Sequence, residues 1–215
     1  MYRIGTFCLI GLLVIITGCS SGDETPDSDL PLADKTEESN SEVTSMPEPE
    51  GLTLTLTIEI DPCTLITKQD AESLLGEEVG DAWQQEAIAP AGKSCSYSTQ
   101  EMATSKKATV TIHSSALIAA EGIFDSAQDA YDRHKRAVLG SDYGKELFQA
   151  IDGLGSDACW DGMLRILQDD LYITLEVASL PVEGASSSEE LQEMQNVKTI
   201  AAERTLAQIV LNRLP

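Results

Sequence analysis

The chain has 215 residues, 42% of them hydrophobic, and carries 36 acidic against 14 basic side chains for a formal net charge of −22. That balance excludes ordinary nucleic-acid binding, which rests on clustered Lys and Arg that the chain lacks. Cationic partners, divalent ions or a saline setting would each suit such acidity, and no specific motif selects among them.

Residues 1–18 have the parts of an export signal: a basic start at Arg3, an apolar run from Phe7 to Ile16, and small residues before a cut site. The run is too short to span a bilayer comfortably, since a transmembrane helix needs about 20 predominantly apolar residues, and a polar Ser/Gly/Asp segment begins directly after Cys19. Cleavage is therefore expected. Ile16-Thr17-Gly18-Cys19 resembles the bacterial lipoprotein lipobox, in which an apolar residue and two small residues precede a lipidated cysteine. The resemblance implies a lipid anchor at Cys19 and a place in the cell envelope, facing the periplasm or the exterior. With Ser20 rather than Asp after the cysteine, it implies the outer membrane in a diderm host.

From Cys19 to Gly51 the composition turns to Asp, Glu, Ser, Thr and Pro, with Lys35 as the single lysine. Such a segment cannot bury enough apolar area to offset chain entropy and is expected to form an acidic, disordered stalk. As a flexible coil it would reach roughly 30 Å, and charge repulsion with Pro47 and Pro49 should extend it further.

Residues 52–215 have the length and apolar content of one domain. Leu52, Leu54, Leu56 and Ile58 alternate with threonines as an extended segment or first strand, stopped by Asp61-Pro62-Cys63. A helix should then start at Thr67, with Asp70 three residues on completing a capping box, Ile66 and Ala71 as a hydrophobic staple, and Gly76 closing the C-terminus.

Extended pieces are expected at 79–86, 94–99 and 107–114; in the last, Ala108, Val110 and Ile112 alternate with Thr109, Thr111 and His113. Core on one face and water on the other is the pattern of an antiparallel sheet. A second helix is expected over 127–139 after Ser126, with Ala127, Ala130, Tyr131, Ala137 and Val138 as its stripe. Strands at 163–167 and 171–178 flank a turn at Asp169-Asp170, which sets Ile166 against Ile173 and Leu164 against Leu175. An acidic, serine-rich stretch then leads into a last helix with Leu206, Ile209, Val210 and Leu214 on one face. This order reads as α+β: an antiparallel sheet packed with about three helices, with room for a pseudo-repeat of two halves.

The run Asp61-Pro62-Cys63-Thr64-Leu65-Ile66-Thr67, Leu74-Leu75-Gly76, Cys95-Ser96-Tyr97, the stretch from Gly153 to Trp160 and the Ala/Leu-rich last helix together resemble bacterial lipoproteins of the domain of unknown function 3558 family. The resemblance covers most of the globular part and implies an envelope lipoprotein with a compact α+β domain. It carries over no catalytic residue. The chain departs from the family pattern at Cys159, where an aromatic residue is more usual beside the tryptophan.

Of five cysteines, Cys8 leaves with the signal and Cys19 takes the lipid, so three remain for the domain. An exported domain is expected to hold a disulfide, and three single pairings are open. Cys63 with Cys95 is favoured, because Cys95 should face the core of its strand and Cys63 starts the helix above that sheet. Cys159 would then be a free, buried thiol, with no base placed beside it to lower its pKa.

His113 falls on the threonine face of its strand and is expected to be exposed. His134 lies on the apolar stripe of its helix and is expected to be partly buried and hydrogen-bonded. No His/Cys/Asp/Glu set has metal-site spacing, Asp152-Gly153 and Asp161-Gly162 are turn signals without calcium-loop ligands, and Gly153-Leu154-Gly155 reads as a tight connection into the strand of Trp160. Neither a phosphate-cradling loop nor a serine elbow is present. The sequence thus points to a lipid-tethered envelope domain without enzymatic machinery or cofactor, held to the membrane by its anchor and binding a protein or small molecule. A small-ligand carrier or sensor and an envelope enzyme are the alternatives.

Overall fold

A computed structural model describes residues 59–100 and 105–215. The expected signal and lipobox, the expected stalk and the alternating segment 52–58 lie outside the described residues. No described helix is long and apolar enough to cross a membrane.

The structure is α+β. Seven strands form one antiparallel sheet in the order β1-β2-β3-β7-β6-β5-β4: β1 (Trp83–Ile88), β2 (Ala91–Ser98), β3 (Lys107–Ser114), β4 (Gln149–Ala150), β5 (Asp157–Trp160), β6 (Leu164–Gln168) and β7 (Leu171–Ala178). Two meanders meet where β3 pairs with β7, Val110 opposite Leu175. The meanders differ in strand number and in the helices around them, and a two-half pseudo-repeat is not established.

Six helices are described, against the three expected: α1 (Pro62–Leu65), α2 (Lys68–Leu75), α3 (Ser115–Glu121), α4 (Ala127–Leu139), α5 (Asp142–Leu147) and α6 (Ser188–Leu211). The extra ones, α1, α3 and α5, are too short to show a helical period in sequence, and each is set by a cap. Asp61, read as the end of a strand, accepts from Cys63 N and starts α1 with Pro62 in its first turn, where the missing N–H costs nothing. Ser114 and Ser141 start α3 and α5 by accepting from Leu117 N and Gly144 N.

The longer elements fall close to expectation. Thr67 and Asp70 close a capping box on α2, and Gly76 ends it in the left-handed conformation. Ser126 caps α4. Leu164 stands opposite Leu175 and Ile166 opposite Ile173, the register read from the hairpin turn. The piece expected at 79–86 is different: Val79 makes only an isolated bridge to Thr99, and the strand proper begins at Trp83 and runs to Ile88. The α4 stripe is different too, since Ala137 is exposed and the half-buried His134 and Lys135 continue the packed face.

The sheet separates two cores. On one face Cys95, Val110, Ile166, Ile173 and Leu175 pack with Leu65 of α1, Ala71 and Leu75 of α2, and Leu206, Ala207 and Val210 of α6. The other holds a smaller cluster of Ile118, Ala127, Ala130, Tyr131, Cys159, Leu167 and Tyr172 beneath α3 and α4. A Cys63–Cys95 disulfide ties α1 to β2 across 32 residues, a loop whose closure contributes roughly 3 to 4 kcal/mol in the chain-entropy model.

Candidate binding face

Pairing partners in a sheet project to the same side, so register assigns the second face residue by residue. One row reads Trp83, Ser96, Thr109, Glu176; the next reads Gln85, Ser94, Thr111, Thr174, Arg165. Helices α3 and α4 cover this face around His113, Tyr172 and Leu167. The remaining half is polar, hydroxyl-lined and bordered by an aromatic ring.

Trp83 stands at the edge, 63% exposed, and Gln85 beside it is exposed as well. Ser94 and Ser96 sit low between their neighbours, while Thr109, Thr111, Thr174 and Glu176 are half-buried. Ser96 Oγ and Thr109 Oγ1 are 2.9 Å apart, and Lys107 pairs with Glu176 at 2.7 Å. This much hydroxyl on a sheet face follows from the Ser and Thr alternation in β2 and β3.

At its far end the second row runs into a charged network under α4. Arg165 Nε donates to both oxygens of Asp161 at 3.0 Å, and its Nη1 donates to the Tyr172 hydroxyl at 2.9 Å. His134 Nε2 closes on Asp161 Oδ2 from α4. Burial alone would raise the Asp161 carboxyl, but the His134 bond and the Arg165 charge outweigh it and hold it below the usual range. Lys135 donates to Asp157 at 2.6 Å beside them.

His113 is buried, contrary to the exposure expected for the threonine face. It lies in the part that α3 covers, stacks on Tyr172 at 5.1 Å between ring centroids, and approaches the Ala91 carbonyl through Nδ1 at 3.3 Å. Burial pushes its pKa down, so the neutral ring is the favoured form.

Cys159 is the free, buried cysteine among the described residues. Its place opposite Arg165 brings it near the charges of Asp161 and Lys135. It forms no hydrogen bond to His134, however, and burial pushes its thiol up, which disfavours the thiolate a nucleophile needs. The neighbouring Tyr131 hydroxyl is buried with no hydrogen-bond partner among the described residues. No group of three or more His, Cys, Asp or Glu among the described residues could hold a metal ion.

The network therefore positions Arg165, Tyr172 and His113 along one border of the hydroxyl rows, and Trp83 marks the other. Sequence reasoning missed this face. Trp83 and Gln85 fell inside an expected strand without a side assigned; Arg165 has Asp161 four residues before it, but its Tyr172 partner and its place in the row come only with the β6–β7 pairing. No family model, no curated protein and no solved structure matches this chain.

Proposed function

We propose that the chain is a lipid-anchored lipoprotein of the bacterial cell envelope whose α+β domain binds an envelope component through the second face of its sheet. The lipobox at Cys19 and the acidic composition of residues 19–51 support the tether, and the resemblance to the domain of unknown function 3558 family supports the same class. The observation that carries the binding role is Trp83. Its exposed indole offers a flat apolar surface at the sheet edge, in register with the Ser96 and Thr109 hydroxyls and the Glu176 carboxylate and beside the Gln85 amide, groups that can exchange water for a ligand's polar groups. The ligand suited to that surface is flat and rich in hydroxyl groups, with one apolar side for the ring.

Two experiments test the reading separately. Cys19→Ala should release the protein from membranes in detergent partitioning, and unchanged partitioning would refute the anchor. A photoreactive side chain at Gln85 should crosslink to an envelope component in intact cells, while one at Lys68, on the opposite layer, should not. Equal crosslinking from both would remove the face from the account.

The enzyme alternative has one observation in its favour, the His134–Asp161 pair. A turnover lost on His134→Ala but retained by Trp83→Ala would support it over binding.

A further inference from the structure

Beyond ligand binding, α6 carries a surface of its own. Its C-terminal half packs on the sheet through Glu203, Leu206, Ala207 and Val210, but no residue from Ser188 to Ala202 is buried. The inner side of that free half is half-buried at Gln195, Asn196, Thr199 and Ile200. The outer side is exposed at every position of one helical stripe, Glu190, Leu191, Met194, Val197, Lys198 and Ala201, with the exposed N-cap Ser187 at its start.

These residues stand three, four and seven positions to either side of Met194, the spacing that puts side chains on one helical face. The stripe is also its own complement when reversed. With a two-fold axis through Met194, an antiparallel copy sets Leu191 against Val197, Glu190 against Lys198, and Ser187 against Ala201. Apolar meets apolar, acid meets base, and the ends are small enough for close approach. Val197, 64% exposed, would be covered by this pairing. A groove of about 630 Å³ between Pro181, Val182 and the Met194–Val197–Ala201 side of the helix gives the incoming side chains a seat.

The charged pair is available for the purpose. Lys198 Nζ spends one donor on the Pro181 carbonyl, and Glu190 receives Ser186 on Oε2 alone among the described residues. We infer that the free half of α6 is a self-association surface, and that two copies of this chain pair antiparallel through it about Met194. The contact is isologous, so it closes at two. It spans about 20 Å of helix, which makes a weak dimer in dilute solution and a more populated one wherever copies share a surface.

The test is disulfide trapping in the full chain, with the unsubstituted chain setting the background from its own thiols. A cysteine at the axis faces its own copy, so Met194→Cys should give a crosslinked dimer on mild oxidation. Gln192→Cys, exposed but off the stripe, should give at least tenfold less. Adding Leu191→Glu to Met194→Cys should lower the yield by a similar factor with the circular dichroism spectrum unchanged, because that side chain is exposed in the monomer. Background-level trapping at Met194→Cys, equal trapping at Gln192→Cys, or an adduct of Met194→Cys with a different molecule would each overturn the inference.

Discussion

Glu203 on α6 accepts a hydrogen bond from the indole Nε1 of Trp160 on β5 at 2.8 Å, with both side chains buried and 43 residues apart in sequence. The second carboxyl oxygen accepts from Val177 N at 3.1 Å, just beyond the point where β6 stops pairing with β7. One acidic side chain thus satisfies a strand end and an indole together, and fixes the last helix over the sheet.

Burial pushes the Glu203 carboxyl up to about 8, against the opposing pull of its two donors. The folded protein therefore holds this proton to higher pH than the unfolded chain does, and folding takes a proton up between the two values. The stability this group contributes is fully present below about 4.5 and should be lost as pH rises to about 8. Denaturant midpoints measured from pH 5 to pH 9 should show the decline. Glu203→Gln should flatten it, while costing about 1 kcal/mol at pH 5 because its amide nitrogen turns a donor toward a donor. An equal slope in both proteins would put the titration elsewhere.

Asp70 works in the opposite sense. Arg213, beyond the end of α6, donates to its Oδ2 and Oδ1, and Thr67 donates to the same carboxylate, holding Asp70 at about 2. Its stabilising contribution is complete above the ordinary carboxylate range and is lost as pH falls through the folded value. The pair is partly exposed, so Arg213→Ala should cost only about 1 kcal/mol near neutrality and less at high salt. An NMR titration of the Asp70 carboxyl should move upward in the variant. Failure to move would mean that the Thr67 cap alone sets the value.

Gly155 has φ of 60°, and a Cβ built there would lie 2.3 Å from the Leu167 carbonyl oxygen and 2.7 Å from Ile166 Cγ2. Gly153 has φ of 79° with open space around it. Both need the left-handed region, but only Gly155 lies hard against a neighbouring strand. Gly155→Ala should destabilise by about 3 kcal/mol and Gly153→Ala by about 1 kcal/mol in urea unfolding. Equal losses would show that conformation alone governs the pair.

What the sequence made legible was local. Thr67 with Asp70 starts α2 and Ser126 starts α4 by side-chain capping within a few residues, and the turn at Asp169-Asp170 sets the β6–β7 register by counting. The sheet order was not legible, because β3 meets β7 across more than fifty residues and nothing near either strand records the other. His113 and Glu203 fail for the same reason. His113 alternates with threonines like a solvent residue until α3 covers that end of the sheet, and Glu203 continues the Leu206–Val210 stripe as a polar residue whose partners sit on distant strands. The candidate face needs the register of five strands before its rows exist.

The central claim is that the second face of the sheet is a binding surface bordered by Trp83. Its most direct test is co-sedimentation of Cys19→Ala protein with isolated cell-envelope material, so that the lipid contributes nothing, with and without Trp83→Ala. Trp83 is exposed, so its loss should leave stability within about 0.5 kcal/mol. The account predicts saturable binding by the first protein and at least tenfold weaker binding once Trp83 is removed. Equal binding by both proteins, or no binding by either, would contradict it.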